Sequence, residues 1–297
     1  MIAWVHRRMH RLRLREQARR LHGTGRNAGK VMPERTGWLG GMGLSGLVVA
    51  LYFIVALLAP FLAPHGEAEV IGAPYAPWSA EHWLGTDQLG RDVLSRLLFG
   101  LRNSLALALA TTGLSLFIGG SLGLLAATGG RIVDMILSRI VDVVMALPAL
   151  VFALMVLAIV GTGAVQLVLV VAVLDATRVF RLARALGQRE ATLEYVEAAR
   201  LRGEGLFWIV FREVLPNVRT SLLAEAGMRF AFVFLTIATL SFLGLGLQPP
   251  AADLGAMVRE NAALIAYGDF TPLVPAAVIA GLAVAVNRLI DRLEARP

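Results

Sequence analysis

The chain has 297 residues, 57% of them hydrophobic and 16% charged, with a formal charge of +7. That is too little charge to clothe a soluble protein of this length, which puts the chain in the membrane class. It has no cysteine, which excludes thiol catalysis, disulfides and thiolate metal sites.

Residues 1–41 read as a basic cytoplasmic N-terminal tail, with Arg7, Arg8, Arg11, Arg13, Arg15, Arg19 and Arg20 in its first half. It is too long and too charged for an ordinary signal peptide and suits a solvated or lipid-surface segment. Its one lysine, Lys30, stands in Thr24-Gly25-Arg26-Asn27-Ala28-Gly29-Lys30-Val31. A phosphate-binding loop needs glycine in place of Thr24 and a hydroxyl in place of Val31, so this is no nucleotide site.

Residues 42–64 hold the first apolar stretch, Leu44–Ala63, long enough to span a bilayer. Gly43-Leu44-Ser45-Gly46 at its start matches the surroundings of an intramembrane serine nucleophile. No histidine lies in any later apolar stretch to serve as its base, so chance packing is the better reading. Residues 65–100 are a polar segment, and no cluster of His, Asp and Glu has metal-ligand spacing.

Five further spans are predicted within residues 101–293: Ser104–Ala127, Ile140–Gly161 with Pro148 inside it, Val165–Val179, Leu222–Leu247 and Pro272–Val286. Only Gly161-Thr162-Gly163 separates the third from the fourth, which predicts a tight hairpin. Gly113, Gly119, Gly120 and Gly123 in the second span predict close helix packing. Positive residues concentrate in the tail, between spans four and five, and at the C-terminal end, so both termini and the four-to-five segment are expected on the cytoplasmic side. Segments 74–96 and 248–270 then face outward.

Residues 183–220 are too polar to cross a membrane and too patterned for a plain loop. Glu194–Arg202 has strong helix formers with alanine at close-packing positions, Gly203 and Gly205 suit a turn, and Leu206–Val214 reads as a second short amphipathic helix. The product is a helix–turn–helix knuckle with Leu206, Phe207 and Trp208 near its tip. The pattern Glu197-Ala198-Ala199, Gly203 and Leu215-Pro216 resembles the signature loop of ABC import permeases. The stretch His82–Arg96, and Ser241–Gly246 with Gln248-Pro249-Pro250, resemble the dipeptide/oligopeptide/nickel branch of that family, in its second permease subunit. Two departures stand out: Glu213, where a hydrophobic residue or histidine is usual, and Asp253-Leu254, where a tryptophan is usual.

The resemblance implies an all-α membrane protein of six spans in a bacterial inner membrane, with the coupling loop between spans four and five. It implies a second, related permease, two ABC ATPase subunits that use ATP and Mg, and a periplasmic or lipid-anchored substrate-binding protein. The chain itself is expected to be non-catalytic and to bind no cofactor, metal or nucleic acid, and to move peptides or similar small solutes by alternating access. A channel or secondary carrier independent of an ATPase would explain the spans but not the knuckle.

Glu197 is expected to cap or pair so as to hold the knuckle on the ATPase. Asp142 with Arg139, and Asp175 with Arg178, are expected near the cytoplasmic boundary, where snorkelling or mutual pairing is cheap, which favours structural pairing over a substrate role. Arg229 lies deeper, with Asp142 as a candidate partner, and both are candidates for the translocation path together with Ser241 and Phe242. Asp87, Arg91 and Asp92 could touch the binding protein or bond internally within a loop of glycine turns.

Overall fold

A computed structural model describes residues 38–294 apart from residue 81, so the basic tail expected over residues 1–41 lies outside it up to residue 37. The chain divides between Gly41 and Met42, and the following concerns the second unit. It is built of helices; among the described residues the only β pairings are two isolated bridges, Val70 with Arg91 and Thr86 with Asp92.

Helix α1 (Trp38–Leu62) presents Leu47, Leu51, Leu57 and Phe61 outward. This is the apolar exterior expected of a segment solvated by lipid. Helix α2 (Val93–Thr128) starts eleven residues before the predicted second span. The reason is a cap: the Asp92 carboxylate accepts from Ser95 N at 2.8 Å and satisfies an orphan donor of the first turn.

A single third span was predicted over Ile140–Gly161. Instead the segment breaks at Leu147-Pro148 into α3 (Arg131–Met145) and α4 (Ala149–Val160), bent by 85°. Proline disfavours helical backbone in the residue before it and cannot donate to the preceding turn, so the helix ends and restarts. Gly161 (φ 94°) closes α4, and α5 (Ala164–Glu190) follows after two more residues.

The knuckle comes next: α6 (Glu194–Leu201), a turn, and α7 (Leu206–Trp208). The predicted separate second helix is not separate. Helix α7 widens into a π-helical stretch, Ile209–Val214, and runs on unbroken into α8 (Leu215–Phe242). Pro216 has no N–H for a normal helical bond, and the wide turn before it, where Leu215 N bonds Val210 O, accommodates that loss. After a polar link come α9 (Leu254–Asn261), a 3-10 turn (Ala262–Tyr267) and α10 (Leu273–Glu294).

Among the described residues, four helical segments are long and apolar enough to span a bilayer, or five if the bent pair α3–α4 counts as one. Helix α5 is as long, but Asp175, Arg178, Arg181 and Arg184 interrupt its apolar character.

Two cores hold the bundle. The larger joins Leu105 of α2, Leu157 of α4, Val171 of α5, Phe234 and Ile237 of α8 and Leu282 of α10. The tightest pairing is α2 on α5, where glycine permits it. A Cβ on Gly119 would lie 2.3 Å from Ala176 O, and one on Gly123 would lie 2.6 Å from Phe180 O. Gly113 and Gly120 face open space, so only two of the four expected packing glycines serve this contact. The smaller core packs the knuckle onto the ends of α2 and α5 through Leu124, Ala183, Val196, Ala199, Val210 and Val214.

Candidate functional site

The knuckle is held from below and bare at its tip. Val196 and Ala199 are fully buried, whereas Glu197 and Ala198 are exposed. Gly203 ends α6 with φ 79°; its N–H donates to Arg200 O at 2.9 Å, and Glu204 N donates to Ala199 O at 3.2 Å. These two bonds satisfy helix-end carbonyls in the manner that a left-handed glycine allows. Glu213, the unusual residue of the loop, lies 3.2 Å from Arg202 Nη2 and so braces the two arms of the knuckle against each other. Behind it, Tyr195 Oη donates to Glu190 Oε2 at 2.6 Å and accepts from Asn217 Nδ2 at 3.1 Å, tying α5, α6 and α8 together. Burial first, and then the Glu190 carboxylate, push the Tyr195 hydroxyl up to about 12. Arg200 Nη2 adds a bond to Thr128 O of α2.

At the tip, Leu201 and Phe207 are 84% and 69% exposed. Phe207 stacks on Phe211 with parallel rings 6.3 Å apart, and the Arg212 guanidinium lies over Trp208. Leu206 and Leu215 are half-buried against the small core, and Pro216 is exposed. A pre-stacked, solvent-facing aromatic patch on a braced base is the form of a docking surface. Glu197 makes no ion pair among the described residues. It sits in the first turn of α6, where a carboxylate favours the helix dipole.

The elbow at Pro148 opens a cavity of about 720 Å³ between α3–α4, α5 and α8. Asp175 and Arg178 of α5, and Arg229, Phe232, Thr236 and Thr239 of α8, line it. Arg229 does not pair with Asp142 as expected. Its Nε lies 2.6 Å from Glu225 Oε1 one turn back, and its Nη1 lies 3.5 Å from Asp175 Oδ1. Asp142 is instead half-exposed and paired with Arg181 at 3.0 Å, on the same side of α3 as the pair Asp134–Arg184. An intrahelical partner at i−4 was within reach all along, and a distant one was not needed.

Ser241 and Phe242 do not line this cavity. Ser241 is fully buried and donates to Asp253 Oδ2 at 3.0 Å, while Phe242 faces outward. Asp253 caps α9 by accepting from Gly255 N and Ala256 N, so the residue found in place of tryptophan locks the end of α8 to the start of α9. Burial pushes its carboxyl above the ordinary range.

Asp87, Arg91 and Asp92 are buried as well, at 3% exposure or less. Asp87 accepts from Leu89 N, Arg91 N and Arg91 Nε, and from Arg96, whose Nη1 also lies 2.8 Å from Glu260 Oε2. Burial alone would raise the Asp87 carboxyl. The backbone N–H groups of Arg91 and Leu89 and the Arg96 and Arg91 guanidinium groups outweigh it and hold the carboxyl below its ordinary value. This network ties the segment after α1 to α9, with Trp78 Nε1 bonding Thr271 Oγ1 beside α10 as a second tie. Sequence reasoning missed Glu225, Glu260 and Tyr195, and marked Asp253 as a departure without a role. Of these only the Glu225–Arg229 spacing was a readable signal.

A helical bundle with a braced knuckle, a charged cavity and no strands among its described residues is a build compatible with a transport permease. A family model described as the binding-protein-dependent transport system inner membrane component matches residues 119–297, and the chain belongs to that family. It is 36% identical over 253 residues to the glutathione transport system permease protein GsiD of Pectobacterium atrosepticum, covering 84% of each chain. It is 35% identical to the di/tripeptide transport system permease protein DppC of Pseudomonas aeruginosa, over 87% of this chain and 86% of that one. The dipeptide transport system permease protein DppC of Haemophilus influenzae is 32% identical. Among solved structures, the inward-facing MetNI methionine ABC transporter shares the fold, with a TM-score of 0.54 at 19% identity, over 67% of this chain and 94% of that one.

Proposed function

We propose that this chain is the membrane permease subunit of an ATP-driven importer of short peptides or similar solutes in a bacterial inner membrane. It works beside a second, related permease, above two ATPase subunits that bind ATP and Mg, and below a binding protein. The single observation that carries this reading is the unbroken helix from Leu206 to Phe242, which joins the exposed aromatic tip to the wall of the charged cavity. A push on Phe207 is thereby a push on Arg229. The similarity to peptide and glutathione permeases supports the substrate class.

In this reading the bent pair α3–α4 is the third span and α5 the fourth, which brings the total to six. Both termini and the knuckle are cytoplasmic, and the Asp87–Glu260 network lies outside. ATP binding closes the ATPases and draws the knuckles inward, opening the cavity outward to receive solute. Hydrolysis and product release reset it.

The test is co-purification in mild detergent. The tagged chain is expected to bring down an ATPase and a second permease. Phe207→Asp, which alters an exposed side chain, is expected to lose the ATPase and keep the permease. Uptake into liposomes by the chain without any ATPase would instead establish a channel or secondary carrier.

A further inference from the structure

The cavity at the Pro148 elbow carries two opposite charges that its own chain leaves only partly answered. Asp175 is 6% exposed, midway along α5. A carboxylate so placed needs strong partners. It accepts from Ser115 Oγ at 3.0 Å, a hydroxyl that Thr112 O also shares, and at a long 3.5 Å from Arg229, which sits closer to Glu225. Arg178, three residues on, is exposed on the cavity wall and makes no hydrogen bond or ion pair among the described residues. Residues at i and i+3 are helix neighbours, about 5–6 Å apart at Cβ. The cavity thus offers a carboxylate and a guanidinium side by side. Phe232 and Leu174 supply apolar wall, and the Thr236 and Thr239 hydroxyls are within the lining. Its volume of about 720 Å³ is in the range of small-molecule sites.

We propose that this cavity is a transit site for a zwitterionic solute, with Arg178 receiving the carboxylate end and Asp175 the ammonium end. The proposal rests on the importer reading above and names where the solute pauses. Arg229 is the positioning residue: it already touches Asp175 weakly, and it lies on the helix that begins at the knuckle. Movement of α8 that tightened this contact would take Asp175 away from the solute and release it. Phosphatidylethanolamine, with its own ammonium and phosphate, is the rival occupant of the same chemistry.

The test uses the purified complex of both permeases and both ATPases, without binding protein, and three probes: radiolabelled dialanine, its N-acetyl form and its C-terminal amide. Wild type is expected to bind dialanine, and Arg178→Gln and Asp175→Asn each to weaken it about tenfold or more. Arg178→Gln is expected to leave amide binding unchanged, because the carboxylate is already gone, and Asp175→Asn to leave N-acetyl binding unchanged. Arg178→Lys should recover part of the loss. The proposal is overturned if the variants shift all three probes alike, or if dialanine does not bind while mass spectrometry finds a phospholipid retained through Arg178. Uptake by the complete transporter separates the two readings. Dialanine uptake by wild type with unaltered uptake by both variants rejects the site alone; no ATP-driven uptake of dialanine by wild type rejects the peptide importer and the site together.

Discussion

At the scale of the residue, two buried carboxylates outside the spans behave oppositely. Asp87 is held below its ordinary value, so it adds stability above its unfolded value near 3.8, and that stability is lost as pH falls through its lower folded value. Asp253 is raised, so its contribution has the other sign. It costs nothing while neutral in both states, and stability falls as pH rises through its folded value. Asp87→Asn is therefore expected to cost about 3–5 kcal/mol at neutral pH, because it leaves Glu260 as the one carboxylate facing Arg91 and Arg96 in a buried site. Asp253→Asn keeps an oxygen for the α9 cap and an amide for Ser241, and should cost under about 1 kcal/mol, whereas Asp253→Ala should cost about 1–2 kcal/mol. Thermal unfolding in detergent at neutral and acidic pH reads both. These side chains could be nominated from their letters, but not assigned. The letters of Asp87 and Arg91 favour an internally bonded loop over a protein contact, but the partners Arg96 and Glu260, far apart in the chain, are supplied by the fold.

Among the elements, the glycines of α2 divide by what faces them. Gly123→Leu is expected to force α2 from α5 and destabilise the bundle by several kcal/mol, since even a Cβ there would meet Phe180 O at 2.6 Å. Gly120→Ala meets open space in this chain and should be neutral or stabilising by up to about 1 kcal/mol through helix propensity. Fluorescence-detected size exclusion after graded heating distinguishes them. Gly203→Ala has room for its methyl group but must hold φ 79°, so about 1–2 kcal/mol is expected at the knuckle. The sequence located the knuckle and its turn because helix formers, two glycines and a proline are local signals. It misplaced the start of α2, where a cap and a buried ion network extend a helix past its apolar stretch. It also missed the elbow in α3–α4, though Pro148 was in view, because apolar composition alone cannot distinguish a span from two shorter helices.

Across the whole molecule, the decisive feature is a rod. Thr220 and Ser221 are exposed on the segment between knuckle and cavity. Replacing both with glycine weakens the rod by about 0.3–0.5 kcal/mol per position without touching either end. Uptake by the assembled transporter should fall several-fold while ATP hydrolysis persists; equal loss of both, with the complex intact, would mean that the rod does not carry the coupling. This continuity was hidden in the sequence because Pro216 looks like a boundary, and only the widened turn before it allows the helix to continue.

What the sequence determined by itself was the membrane class, the family and the knuckle. Each follows from composition or from residues near one another in the chain, where local propensity and periodicity act. What the tertiary structure alone decided was partnership: Arg229 with Glu225 and Asp175, Ser241 with Asp253, Arg96 with Asp87 and Glu260, and the cavity at the elbow. A charge in a low-dielectric interior takes whichever opposite charge packing brings within a few ångströms, and most of these contacts join residues on different elements.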